Sequence, residues 1–259
     1  MARSFNGSTD TLTVANQANF RFERTQAQSI SAWAFPNLNR TVSTTYSIFS
    51  KLDSASPNSG YELHFLYNPG SFANHMAIEF SLVNTFGSNH LAVNNTTTDS
   101  TNGVWHHIAV TYDGSSTAAG IAMYVDGITQ STNAAINALS ASILNTITPY
   151  IGSRNNANSF FNGNYADICQ WTVVLTAAEV LALSKGARPY TIRPGSINAY
   201  WPLDGFASPE ADLSLSKNNG TLTGTALAFG PPVAMFTPRW PQYLTPPPPV
   251  LILMPQIVT

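Results

Sequence analysis

The sequence predicts an all-β fold: two antiparallel sheets packed as a jelly-roll sandwich, with one short helix and an extended Pro-rich C-terminal arm. Three observations carry this expectation. Apolar and polar residues alternate over short runs along most of the chain, the period of a half-buried strand. Asp-Gly, Asn-Gly and Ser/Asn/Thr clusters separate those runs at short intervals. A single stretch, after Thr176, has the period and the caps of a helix.

Strand-like runs fall at 11–14, 28–35, 47–51, 62–67, 76–83, 91–93, 105–112, 122–126, 147–152 and 166–174. The clearest frame is GVWHHIAVTYDGSSTAAGIAMYVDG, residues 103–127. Trp105, His107, Ala109 and Thr111 share one strand face, and His106, Ile108, Val110 and Tyr112 share the other. Asp113-Gly114 and Asp126-Gly127 then turn the chain, because Gly accepts positive φ and Asp bonds its own backbone. Both aspartates are therefore read as turn formers. The adjacent histidines point to opposite faces, so they do not share a metal. One is expected to pack in the sheet and the other to be solvated.

Thr176 caps AAEVLALSKG, and Glu179 three residues on completes a capping box. Val180, Leu181 and Leu183 supply the apolar face, and Gly186 ends the helix. A Pro-containing connector leads to NAYWPLDG at 198–205, a further strand, and short strands are expected around Leu222 and Leu227. The last stretch changes character. Prolines 238, 241, 246–249 and 255 interrupt apolar residues, so an extended, polyproline-like arm is expected there.

Composition narrows the function. The 259 residues have room for one large β domain, and 44% of them are apolar, enough for a core. Charged residues make up 9%, against about a quarter in ordinary domains, so Asn, Ser and Thr must supply the polar surface. Net charge is −2 with no basic stripe, which argues against a nucleic-acid partner. No run approaches the roughly 20 apolar residues of a membrane span, and no N-terminal segment has signal-peptide length. The single cysteine, Cys169, forms no intrachain disulfide and is expected to be a small buried apolar residue.

The order of these segments resembles the laminin-G-like, concanavalin A-like lectin-glucanase jelly-roll family. The resemblance rests on GVWHHIAVTYDG…MYVDG, then YIGSRNNANSFFNGNYADICQWTVVLTAAEVLAL, across residues 103–186. RSFNGSTDTLTV and SISAWAF match the family's early strands. One departure stands out. AYWPLDG followed by DLSLSKNNGTLTG opens the domain in that family, whereas here it closes the chain at 199–224. The resemblance implies a domain at 1–186 and a circular permutation. Residues 187–236 would then connect and complete the same sandwich, leaving 237–259 as the arm. The other reading is a truncated repeat, but about thirty residues cannot bury a core alone.

No constellation compels catalysis. Glycoside hydrolysis needs two carboxylates about 5–10 Å apart. Glu62 and Glu79 each stand alone on their strands, and no Gly-x-Ser-x-Gly, P-loop or dinucleotide motif occurs. The resemblance raises a rim calcium site, but calcium wants six to eight oxygens and the loops are poor in acids, so Asp53 is only a weak candidate and no cofactor is expected. Glycan binding in such folds combines an aromatic with Asn and Asp hydrogen bonds. The candidates are Tyr61, Asn58, Arg154, Asn155 and Phe160, and Tyr46 and Phe161 lie near the same loops. Trp240, Tyr243, Leu244, Val250, Leu251, Ile252 and Leu253 make the arm apolar and suited to adding to a sheet edge. Expected partners are other copies of the chain or a larger protein shell through that arm, with glycans also possible partners and no membrane. The leading expectation is a non-catalytic structural or adhesion module on a larger assembly, such as a virion surface decoration or fibre. A glycan-binding domain, calcium-dependent or not, ranks second and a glycoside hydrolase third.

Overall fold

A computed structural model describes residues 1–15, 17–38, 44–67, 76–96, 100 and 102–232. The strands in chain order are β1 (Ala2–Asn6), β2 (Thr11–Val14), β3 (Gln28–Pro36), β4 (Thr44–Leu52), β5 (Gly60–Tyr67), β6 (Ala77–Thr85), β7 (Asn89–Asn95) and β8 (His106–Tyr112). Then follow β9 (Ile121–Val125), β10 (Ile128–Thr129), β11 (Thr132–Asn137), β12 (Tyr150–Ile151) and β13 (Asn162–Trp171). Helix α1 (Ala177–Ser184) precedes β14 (Ile197–Trp201), β15 (Gly220–Thr223) and β16 (Ala226–Ala228). They form two antiparallel sheets of eight strands. Sheet A runs β10-β9-β8-β3-β13-β1-β16, with β14 also paired to β13. Sheet B runs β11-β7-β6-β5-β4-β12-β2-β15.

Alternation decides which side chains meet. Ile30 and Ala32 of β3 and Ile108 and Val110 of β8 face Leu63 and Phe65 of β5 and Phe80 of β6 in one main core. Aromatic rings thicken it: Trp201 stacks on Phe20 at 6.0 Å and on Phe49 at 6.2 Å. The far side of sheet A has a second apolar cluster, where Val180 and Leu183 of α1 cover Ala109, Cys169, Trp171 and Tyr200. The helix is capped as the sequence predicts, with both halves of the Thr176–Glu179 box formed. Its buried face is Val180, Leu183 and Ser184, and Leu181 is 44% exposed. This corrects the expected face: i, i+3 and i+4 share a side of a helix, and position i+1 turns away. Cys169 is buried, and burial pushes its thiol well above the ordinary value.

Residues 197–228 pair with strands from the start and middle of the chain. β14 pairs β13, β15 pairs β2 and β16 pairs β1. A buried ion pair reinforces the join, Arg3 Nε lying 3.3 Å from Glu210 Oε2. Asp212 fixes the intervening loop by accepting from the backbone amides of Tyr200, Ser214 and Asn218. The arm residues from Trp240 to Leu253 lie outside the described residues. Among the described residues no helix is long and apolar enough to cross a membrane.

The turn reading of the acids is visible in detail. Asp126 and Gly127 both have positive φ, 54° and 80°, which a tight β9–β10 hairpin requires. Asp126 Oδ1 accepts from His107 N at 2.8 Å, and Oδ2 lies 2.9 Å from His106 Nδ1. Asp113 Oδ1 accepts from Ser115 N. The expected solvated histidine is a correction: both rings are buried. His106 is held by Asp126, and His107 packs edge-on to Trp33 at 5.3 Å.

Candidate functional site

Two loops meet at one end of sheet B. The β4–β5 turn carries Asp53, Ser54 and Asn58, and the loop after β12 carries Arg154 and Asn155. Asn155 Nδ2 donates to Ser54 Oγ at 3.1 Å, which ties them together. Within the first loop Asn58 Nδ2 donates to Asp53 O, and Asp53 Oδ1 accepts from Ala55 N. Asn58, Asn155 and Asn156 all have positive φ, so these loops are tightly coiled and shaped by their asparagines. The β6–β7 turn joins the same end through Phe86 N, which donates to Pro57 O at 3.0 Å. Phe86 is 67% exposed and lies flat on His90, with ring centroids 5.1 Å apart and planes 9° apart. His90 Nδ1 accepts from Gly87 N, and burial holds the imidazole below its ordinary value, only partly opposed by Glu79. The result is a continuous strip: an exposed aromatic face, then an amide-rich rim.

Below the strip, the outer face of sheet B is polar and buried. Antiparallel pairing sets His64 opposite Glu79 and Glu62 opposite Ser81. His64 therefore lies between two carboxylates, Nδ1 at 3.6 Å from Glu62 Oε2 and Nε2 at 3.4 Å from Glu79 Oε1. Arg154 closes over Glu62 with Nε at 2.8 Å from Oε2. Burial raises the Glu79 carboxyl, but hydrogen bonding and charge from His64, with the Ser81 hydroxyl, outweigh it and leave the group below its ordinary value. Glu62 Oε1, His64 Nδ1 and Ser47 Oγ are buried without hydrogen-bond partners. The expectation that Glu62 and Glu79 stand apart holds along each strand but not across strands, because adjacent strands carry them on one face.

The sequence candidates separate into two groups. Asp53, Asn58, Arg154 and Asn155 come together on the rim, and Phe160 is half-buried at the end of the same loop. Tyr61 is a correction: its ring is 1% exposed in the main core, because odd positions of β5 face inward. Its hydroxyl donates to Phe20 O at 3.0 Å and accepts from Gln170, and burial pushes it above the ordinary tyrosine range. Arg154 is engaged with Glu62. Phe86 and His90 were not singled out from the sequence, although TFGSNH sets an aromatic between turn residues, the pattern that exposes a ring. Among the described residues no group of three or more His, Cys, Asp or Glu side chains is arranged to hold a metal ion.

The family model described as the concanavalin A-like lectin/glucanases superfamily matches residues 6–181. The chain belongs to that superfamily. No curated protein sequence matches it. Among solved structures, a Bacteroides ovatus protein assigned to carbohydrate binding superposes with TM-score 0.61 and 17% identity, covering 91% of this chain. The chain spans 62% of that protein's length. The binding domain of botulinum neurotoxin serotype G gives TM-score 0.52 at 15% identity, over 70% of this chain and 41% of that one. A heptameric pentraxin of Limulus polyphemus gives TM-score 0.50 at 16% identity, over 71% of this chain and 81% of that one. At these identities the likeness shows the superfamily's jelly-roll fold.

Proposed function

We propose that the chain is a non-catalytic, lectin-like module that holds a glycan on the strip running from Phe86 across Asn58 to Asn155. The observation that carries this is the exposed Phe86 ring, backed flat by His90 and flanked by amide-rich loops. An aromatic face takes the apolar face of a sugar ring, while amides and carbonyls take its hydroxyls. The superfamily's solved relatives include a protein assigned to carbohydrate binding. Support for a non-catalytic reading comes from the acids. Glu62 is sealed beneath Arg154, and Glu79 is held by His64 and Ser81, so neither carboxyl is presented to a substrate. A glycan array probed with the full chain, with Phe86→Ala beside it, tests the proposal. Wild type should give discrete signals that fall about tenfold or more in the variant, at unchanged melting temperature. Signals untouched by Phe86→Ala would remove the strip from the account. Adding EDTA distinguishes a calcium-dependent mode, for which Asp53 is the rim acid.

A second, compatible reading is display on a larger assembly, such as a virion surface, through residues 238–259. It rests on the exit point of the arm. Residues up to Pro232 are described, and just before them β16 forms an edge of sheet A that has no further partner among the described residues. An apolar cavity of about 450 Å³ lies alongside, lined by Met1, Phe35, Trp105, Leu227 and the 91% exposed Phe229. The arm of a second copy would add to that edge and fill the cavity. Light-scattering mass before and after deleting 238–259 tests this: the intact chain should associate and the deletion should be monomeric. A monomeric intact chain would sink it.

A further inference from the structure

A second concave site, independent of the Phe86 strip, opens where the loop between β2 and β3 meets β13 and β14. It has a volume of about 350 Å³, with Phe22 at its wall and Asn19, Arg21, Gln26, Thr172 and Asn198 around it. No carboxylate lines it among the described residues, and no described acid pairs with the Arg21 guanidinium. The nearby Lys51 ammonium feels this positive charge: burial first, and Arg21 second, bring it down to about 8.

Two amides at the cavity, Asn198 and Asn19, each have their nitrogen tied down by a donated hydrogen bond. Asn198 Nδ2 donates to Gln170 Oε1 at 3.0 Å, and Gln170 Nε2 donates to Gln28 Oε1 at 2.8 Å. Asn19 Nδ2 donates to Asn218 Oδ1 at 2.9 Å. With the nitrogens fixed, the two side-chain carbonyls of Asn198 and Asn19 are oriented acceptors at the wall. Gln26 has the opposite polarity, since its Oε1 accepts from Glu23 N and its Nε2 remains a donor. The inner end of the amide chain is short of a partner, because the buried Gln28 Nε2 has no acceptor. Buried polar groups are ordinarily satisfied, so this end of the sandwich is under-supplied with acceptor oxygens.

We propose that this cavity is a subsite for a carboxylate-bearing sugar, with Arg21 taking the carboxylate and the carbonyls of Asn198 and Asn19 taking hydroxyls. A guanidinium without an acid beside it accepts a planar carboxylate in a two-point bond. Acceptor carbonyls at its flank suit donors on adjacent carbons, which a uronic acid supplies and a simple carboxylate does not. The cavity, at about 350 Å³, has room for one monosaccharide.

The experiment is a titration of the full chain, followed by amide chemical shifts, with glucuronate, glucose and acetate at one ionic strength. Glucuronate should bind saturably and shift the amides around Arg21 and Asn198, with glucose and acetate at least tenfold weaker. Arg21→Gln should reduce glucuronate affinity about tenfold or more, since a charge-assisted bond is lost. Arg21 is exposed, so the variant should keep its melting temperature. Phe86→Ala should leave glucuronate binding unchanged, which separates this subsite from the strip. Equal binding of glucose and glucuronate, undiminished affinity in Arg21→Gln, or no saturable glucuronate binding would each overturn the proposal.

Discussion

His107 is buried against Trp33, and its Nδ1 has no hydrogen-bond partner. Burial brings its imidazole down to about 4, outweighing Asp126, which pulls the other way. The sign follows from the direction. A folded-state value below the unfolded 6.5 means that the native state resists protonation, so its contribution is complete above pH 6.5 and is lost as pH falls toward 4. The loss amounts to about 3 kcal/mol over that window. Denaturant melts at stepped pH should show this slope, and His107→Phe should flatten it. Glu62 makes the complementary case. Arg154→Met leaves a buried carboxylate without its cation and should destabilise by about 3 kcal/mol, while Arg154→Met with Glu62→Gln should recover most of it. Thermal denaturation of the single and double variants checks the pair. Neither environment could be read from the chain. Strand period places Glu62 and His64 on one face, but only the β5–β6 register brings Glu79 opposite, and register is a property of two strands. Asp113 was legible in full because its partner, Ser115, is its own neighbour, whereas the turn at Asp126 was legible but its bonds to His106 and His107 depend on the β8–β9 pairing.

Elements with strong local signals match their expected positions: β2 at Thr11–Val14, β8 at His106–Tyr112 and the capped helix. β11 was missed because TNAAIN is polar and largely exposed, so no apolar period marks it; its place is set by pairing with β7. Gly127 links two elements. A Cβ there would come within 2.3 Å of Ser184 Oγ and 2.9 Å of a Leu181 methyl, so the hairpin turn is also the seat of α1. Gly127→Ala should therefore destabilise by about 1–3 kcal/mol through both the positive φ and the displaced helix. Chemical denaturation measures it, and Gly87→Ala, with open space around its Cβ, separates the φ effect from the contact. The strands after α1 raise the larger question of domain extent. If β14–β16 complete the sandwich, a chain ending at Gly186 should lose cooperative melting, because Trp201 leaves the core and β1 and β2 lose edge partners. Trp201→Ala in the full chain should cost about 3–5 kcal/mol. A full-stability melt of 1–186 would contradict this.

At the scale of the molecule, a chain with 9% charge keeps polar surface through short amides and hydroxyls, and the same residues shape its loops. Asn155 and Asn58 were legible as rim residues for that reason. Phe86 was not, since exposure of one ring depends on how the turn leaves the sheet. The pairing of Arg3 with Glu210 and of β1 with β16 has a consequence in time. As the polypeptide leaves the ribosome, its first two strands gain one neighbour each only when β12 and β13 emerge, and their other edges stay bare until residues beyond 220 follow. Until then those edges are a hazard for neighbouring nascent chains, and the pairing of β1 with β16 and of β2 with β15 is among the last events of its birth.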